Sequence, residues 1–294
     1  MRAINLAAWT LAAGTGALVG ALAEAEFGFV LRHQNVPVLK PGSPNVKVLH
    51  ISDIHLMPYQ KHKIAFLRRL STLTPDLVIN TGDNICSNEA IDVLIDALGP
   101  LLDVPGAFVF GGNDYFGPVF KNPLQYLFSH SKPPKKAPEL DWRGLRDAFT
   151  AHNWQDLNNH SAMVKTSKGL IELRGTGDAH IGADFYKAVS SSPAQDTLLN
   201  IGVTHAPYRR ILDDFVNDGM EMIFAGHTHG GQVCLPINRA LVANCDLPLD
   251  QASGLSTWGN IPLHVSAGIG TNPFTPIRLF CRPEATLLTL TEAA

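Results

Sequence analysis

Five times along this chain a short apolar, β-branched run ends in a cluster of glycine, aspartate, asparagine or histidine. The runs are "VKVLHISDIH" from Val46, "DLVINTGDN" from Asp76, "GAFVFGGND" from Gly106, "LLNIGVTH" from Leu198 and "MEMIFAGHTH" from Met220. Each has strand composition and a polar terminus. "LIELRGTGD" from Leu170 resembles them but carries no obvious ligand set, and "LHVSAGIG" and "ATLLTL" read as two late strands. Amphipathic helical patterns lie between several of them: "HKIAFLRRLSTL", "NEAIDVLIDALGPLLD", "LRDAFTAHN" and "YRRILDDFVNDG". Strand, polar loop, helix, strand is the pattern of a layered α/β domain, which gathers functional residues at the carboxyl ends of its strands.

Composition agrees with a globular chain: 45% of the 294 residues are apolar and 17% charged. A formal net charge of −3 gives no basic field of the kind nucleic acid attracts. Residues 117 to 142, with "HSKPPKKAPEL" inside them, break the strand–helix rhythm and read as a surface insertion. No repeat or second composition regime divides the remainder. The expected organisation is therefore a hydrophobic N-terminal helix over 1–25, a linker over 26–45 containing "NVPVLKPGSPN", and one domain over 46–291.

Residues 3 to 23 carry no charge. As a helix rising roughly 1.5 Å per residue, they are long enough to cross a bilayer core of roughly 30 Å. With Arg2 before them and Glu24 and Glu26 after, the positive-inside rule leaves the N-terminus in the cytoplasm and the domain outside it. "ALA" at 21–23 also fits a cleaved export signal. The third reading is a helix packed on its own domain, with the protein cytoplasmic. Gly16 and Gly20 have the spacing of a helix-dimer motif.

The four cysteines form no CxxC pair, which argues against a zinc knuckle. Cys234 and Cys245 bracket "CLPINRALVANC", either a loop closed by a disulfide in an oxidising compartment or a segment with two buried thiols.

The donors at the strand ends are Asp53 and His55, Asp83 with Asn84, Asn113 with Asp114, His205, and His227 with His229. All are oxygen or imidazole donors, a set suited to divalent Mn, Fe or Zn. In D-x-H and H-x-H, alternate residues share a face, so each pair points one way. Two such pairs and a carboxylate exceed the needs of one ion, and a carboxylate between them can bridge two. Two ions about 3.5–4 Å apart form the arrangement that hydrolyses phosphate esters. Glycines at 82, 226, 230 and 231 let the backbone turn beneath such a site. His50, inside its strand, reads instead as a packed or hydrogen-bonded core residue.

Taken in order, "SDIHL", "TGDN", "VTHAP" and "AGHTHGGQ" resemble the motifs of the calcineurin-like metallophosphoesterases, over roughly residues 46 to 291. The likeness is closest to bacterial members with an N-terminal membrane segment or export signal. It implies a four-layer αββα sandwich of two mixed β-sheets flanked by helices. It also implies that Asp53, His55 and His229 bind one metal, that Asn113, His205 and His227 bind the other, and that Asp83 bridges them. The implied reaction is attack of metal-bound hydroxide on a phosphomonoester or phosphodiester. The third motif departs from the family, with "GGND" at 111–114 in place of G-N-H-D. Aligned without a gap, Gly112 falls at the ligand asparagine. Aligned on the asparagine, Asn113 keeps the metal and Asp114 replaces the histidine that helps protonate the leaving group. The second alignment leaves no ion a donor short and is preferred here. Asp114, only if its surroundings raise its pKa, and His180 in "GTGDAHIG" are the candidate proton donors.

The competing functions are a catalytically weakened, membrane-tethered interaction module on the same fold and a nuclease. The second is disfavoured by the absence of an interleaved aromatic and basic stripe. Lys121, Lys132, Lys135, Lys136, Arg143 and Arg146, in and beside the insertion, form a possible grip for an anionic small molecule or lipid head group.

Overall fold

The computed structural model describes residues 2–119, 137–236 and 239–293. The insertion lysines expected to grip an anion lie outside these residues. Arg143 is described, and its guanidinium lies 4.2 Å over the Trp142 ring.

Among the described residues two six-stranded sheets carry the domain, and β10 (Cys234–Leu235) pairs with β11 (Arg239–Ala240) in a separate two-stranded ribbon. The first runs in the order β1 (Val30–Leu39), β14 (Glu284–Glu292), β2 (Val46–Ile51), β3 (Leu77–Asn80), β4 (Gly106–Phe108) and β5 (Gln155–Asp156). The second runs β12 (Gly254–Trp258), β13 (Ile261–Val265), β9 (Met222–Ala225), β8 (Leu199–Val203), β7 (Leu170–Gly175) and β6 (Ser161–Lys165). Both are mixed: β2 to β5 pair in parallel, as do β7, β8, β9 and β13, and antiparallel pairs join β14 to β2, β6 to β7 and β12 to β13. Every residue of β3, β8 and β9 is buried, as parallel strands covered on both faces require.

Three apolar cores define four layers. Phe66, Leu67 and Leu70 of α2 (Lys61–Leu70), Leu94 and Leu98 of α3 (Ala90–Leu98) and Phe149 of α5 (Trp142–Ala151) cover the outer face of the first sheet through Leu49, Ile51 and Phe108. Val46, Val48, Leu77 and Ile79 meet Leu199, Ile201, Met222 and Phe224 between the sheets. Ile211, Leu212 and Phe215 of α6 (Arg209–Asn217) cover Ile223 and Val265. This is the αββα sandwich expected.

Two expectations about the N-terminus change. The segment read as a linker contains β1, which pairs in parallel with β14 from Val30 to Leu39, so it is part of the first sheet. The helix α1 (Arg2–Phe27) is present, but no helix among the described residues is long and apolar enough to cross a membrane, so the anchor reading is not supported. The end of α1 docks on the domain. The Ala21 carbonyl accepts from the Arg278 amide at 3.0 Å, and the Glu24 carboxylate accepts from the amides of Phe280 and Cys281 at 3.2 and 2.6 Å. The Phe27 ring meets His62 edge-on.

Candidate metal centre

The strand ends of both sheets converge on one site. Asp53 and His55 follow β2, Asp83 follows β3, His205 follows β8, and His227 and His229 follow β9. Asn113 lies in α4 (Gly112–Tyr115), the single turn after β4. Asp53, His55, Asp83, His227 and His229 all have positive φ, between 46° and 70°. Asp, Asn and His tolerate this left-handed region better than most residues, and such outliers gather where a site over-determines the backbone. Gly226 and Gly111 allow the close approach. A Cβ on Gly226 would fall 2.0 Å from Ser52 Oγ and 2.6 Å from Asp53 Oδ2, and one on Gly111 would fall 2.2 Å from Asp83 Oδ1.

The donor atoms of Asp53, His55, Asp83 and His229 all lie within 4.8 Å of one another. His55 Nε2 is 3.2 Å from His229 Nε2, and His229 Nε2 is 3.5 Å from Asp53 Oδ1. Beside them, His205 Nε2 lies 3.3 Å from His227 Nδ1. Asp83 Oδ2 stands between the two groups, 3.4 Å from His55 Nε2 and 3.6 Å from His205 Nε2. Asn113 reaches the same carboxylate, with its amide group 2.6 Å from Oδ2 and its backbone N–H donating to Oδ1 at 2.8 Å.

The outer ring nitrogens show what the inner ones offer. His229 Nδ1–H donates to the Gly270 carbonyl at 3.1 Å, and His205 Nδ1–H donates to the Thr81 carbonyl at 2.6 Å. His227 Nε2–H donates to the Asn244 carbonyl at 3.1 Å. Each imidazole, when neutral, therefore turns a lone pair inward, the second-sphere arrangement that metal-ligating histidines use. The inward lone pairs of His205 and His227 face each other, which is favourable only with a proton or a cation between them. The donor set thus fits divalent metal ions.

The electrostatics point the same way. Burial alone would lower the His205 pKa, but Asp83, Asp178 and Asp53 outweigh it and bring it up to about 9. Burial lowers His55 to about 4 and holds His227 and His229 well below the usual imidazole range. For Asp83, burial is outweighed by His205 and His55, which hold it below the ordinary carboxylate range. The cavity demands positive charge, and most of its imidazoles resist supplying it as protons.

The candidate proton donors occupy different positions. Asp114 is fully buried, and its oxygens accept from the backbone amides of Asp83 and Asn84, both at 2.7 Å, and of Gly111 at 3.0 Å. It ties the β3 and β4 loops together. Burial and Asp83 raise its pKa to about 7. His180 is adjacent to the centre: its ring centroid lies 4.5 Å from that of His227, and its Nδ1 lies 3.1 Å from the Tyr208 hydroxyl.

Two functional neighbours had not been singled out in the sequence. Asp178, buried, accepts from the Gly112 and His180 amides, and burial raises its pKa to about 6. Its signal was present, because "GTGD" repeats the "TGD" of the Asp83 loop. Arg278, also buried, donates to the carbonyls of Ala267, Gly268 and Gly270, and Gly270 in turn receives His229 Nδ1–H. No motif marks it. The four cysteines are free and buried, and the Cys234 thiol donates to the Gly230 carbonyl at 3.0 Å. His50 is a buried, hydrogen-bonded residue, as its place inside the strand suggested.

A two-sheet sandwich with acidic and imidazole donors at its strand ends is the architecture of a metallophosphoesterase. The calcineurin-like phosphoesterase family model matches residues 46–231, and the chain belongs to that family. It is 26% identical to the Bacillus subtilis protein YpbG, covering 86% of this chain and 88% of that one. It is 24% identical to the Escherichia coli phosphodiesterase YaeI, covering 89% and 87%. Chlamydia muridarum UDP-2,3-diacylglucosamine pyrophosphatase LpxG is 28% identical over 65% of each chain.

Proposed function

We propose that this protein is a binuclear metal-dependent phosphoesterase. The observation that carries the reading is the position of Asp83 Oδ2 between the His55–His229 and His205–His227 groups. Asp53, His55 and His229 would hold one divalent ion, His205, His227 and Asn113 would hold the other, and Asp83 would be the ligand they share. When bound, such ions supply Lewis acidity, an activated water and charge neutralisation for in-line displacement at phosphorus.

The chain's own residues do the rest. The Gly270, Thr81 and Asn244 carbonyls fix the ring orientations of His229, His205 and His227. Asp114 locks the turn that carries Asp83, with its oxygens already engaged by three amides. Proton delivery to the leaving oxygen therefore falls to His180, which stands beside His227 and is oriented by Tyr208. The substrate is a phosphomonoester or a phosphodiester, including lipid-linked ones. The phosphodiesterase and the acylated-sugar pyrophosphatase among the relatives support the diester and pyrophosphate side.

The test is hydrolysis of p-nitrophenyl phosphate, its bis ester and a nucleoside-diphosphate-linked acyl sugar by the full chain. The expected result is turnover that chelator removes, Mn2+ restores and Asp83→Asn abolishes. Tight metal binding without turnover of any substrate would favour the interaction module.

A further inference from the structure

Two histidines that no ligand set includes are buried between the sheets, His50 on β2 and His264 on β13. Their Nδ1 atoms are 2.8 Å apart, and the Phe224 ring lies against both. His50 Nε2 lies 2.9 Å from Thr81 Oγ1, Thr81 Oγ1 donates to Ser52 Oγ at 2.6 Å, and Ser52 Oγ donates to Asp53 Oδ2. A hydroxyl has one proton to give. Ser52 gives its proton to the carboxylate and Thr81 gives its own to Ser52, so Thr81 accepts from His50 Nε2–H. Burial and His264 keep His50 neutral, so its Nδ1 is bare and accepts from His264 Nδ1–H. The donor sense runs one way, His264 to His50 to Thr81 to Ser52 to Asp53.

We infer that His264, His50, Thr81 and Ser52 are positioning residues, a one-way hydrogen-bond chain that fixes the Asp53 carboxylate for metal binding. The inference rests on the reading of Asp53 as a ligand. The chain engages Oδ2 and leaves Oδ1 facing His229 Nε2 at 3.5 Å. A bond to an ionised acceptor is stronger than a neutral one, and each donor upstream polarises the next. The His227 amide donates to both oxygens from the other side, at 3.2 and 3.0 Å, which sets the carboxylate plane. Gly226 lies over the same place, so the missing Cβ is what gives Ser52 Oγ room beside Oδ2. Thr81 serves both halves of the centre, because its carbonyl also receives His205 Nδ1–H.

The test is calorimetric titration of Mn2+ into the metal-stripped full chain. Thr81→Val keeps the shape and the carbonyl but removes the hydroxyl. It is expected to weaken Mn2+ binding by roughly 10–100-fold, the usual effect of removing an outer-shell partner. Thr81→Ser, which retains the hydroxyl, is expected to restore it. Wild-type affinity in Thr81→Val, or equal weakening in Thr81→Ser, would overturn the inference. Long-range proton–nitrogen spectra of the histidine rings in the wild-type chain provide a second readout, independent of metal and of variant folding. His50 is expected to be protonated at Nε2 and His264 at Nδ1, and a His50 proton at Nδ1 breaks the chain. A wild-type protein that takes up no Mn2+ overturns the metal reading together with this one. Wild-type binding that Thr81→Val leaves unchanged overturns the relay alone.

Discussion

The two halves of the centre are held by different means. Asp53, His55 and His229 are braced from behind: Asp53 by the hydroxyl chain, and His229 by the Gly270 carbonyl that Arg278 also grips. Lys63, buried beside them, donates to the His55 carbonyl at 3.1 Å, and burial brings its pKa down to about 8. His205, His227 and Asn113 form the other half, with His205 and His227 held by the Thr81 and Asn244 carbonyls. There the neighbours are Asp178, His180 and Tyr208, and Asp114 is committed to backbone amides. Under the proposed function, the first half would hold its metal rigidly and the second would handle the leaving group.

The strongest way to break this comparison is at the residue the halves share. Asp83→Asn should abolish hydrolysis and reduce metal content at both sites, measured by turnover and elemental analysis; loss at one half alone would mean that no bridge exists. Next, His180→Ala should lower kcat by roughly 10²–10⁴, the range for losing a general acid, with metal content unchanged. Its effect should be smallest on p-nitrophenyl esters, whose leaving group needs no proton. Equal effects on alkyl and aryl esters would remove His180 from proton delivery.

Smaller effects sharpen the first half. Gly226→Ala forces a Cβ onto Ser52 Oγ and should cost about 1–3 kcal/mol, the typical penalty of overpacking, read by denaturant unfolding. Metal affinity should fall in the same variant. Glu24→Gln weakens the charge-assisted bonds that dock α1 on the Phe280 and Cys281 amides. Because Glu24 is partly exposed, the expected loss is about 1 kcal/mol or less, with activity preserved.

Much of the site was legible because the ligands are written as local patterns. D-x-H and H-x-H stand at the ends of β2 and β9, and each carries its own turn chemistry. What stayed hidden depends on the second sheet meeting the first. His50 and His264 are 214 residues apart, and only the packing of the second sheet, in which β13 pairs with β9, against the first brings their rings together. Arg278 is invisible for a similar reason: its partners are backbone carbonyls, which no sequence pattern marks. The α1 segment was ambiguous in sequence because length and lack of charge fit a bilayer span as well as a docked helix. The contact that Glu24 makes with the Phe280 and Cys281 amides could not be read from its place beside the apolar run.

The most direct measurement is the anomalous scattering of Mn2+ in crystals of the full chain. Two peaks about 3.5–4 Å apart are expected, the spacing of two-metal hydrolytic sites, with the Asp83 carboxylate between them. A single peak, or two peaks that do not share Asp83, would contradict the account.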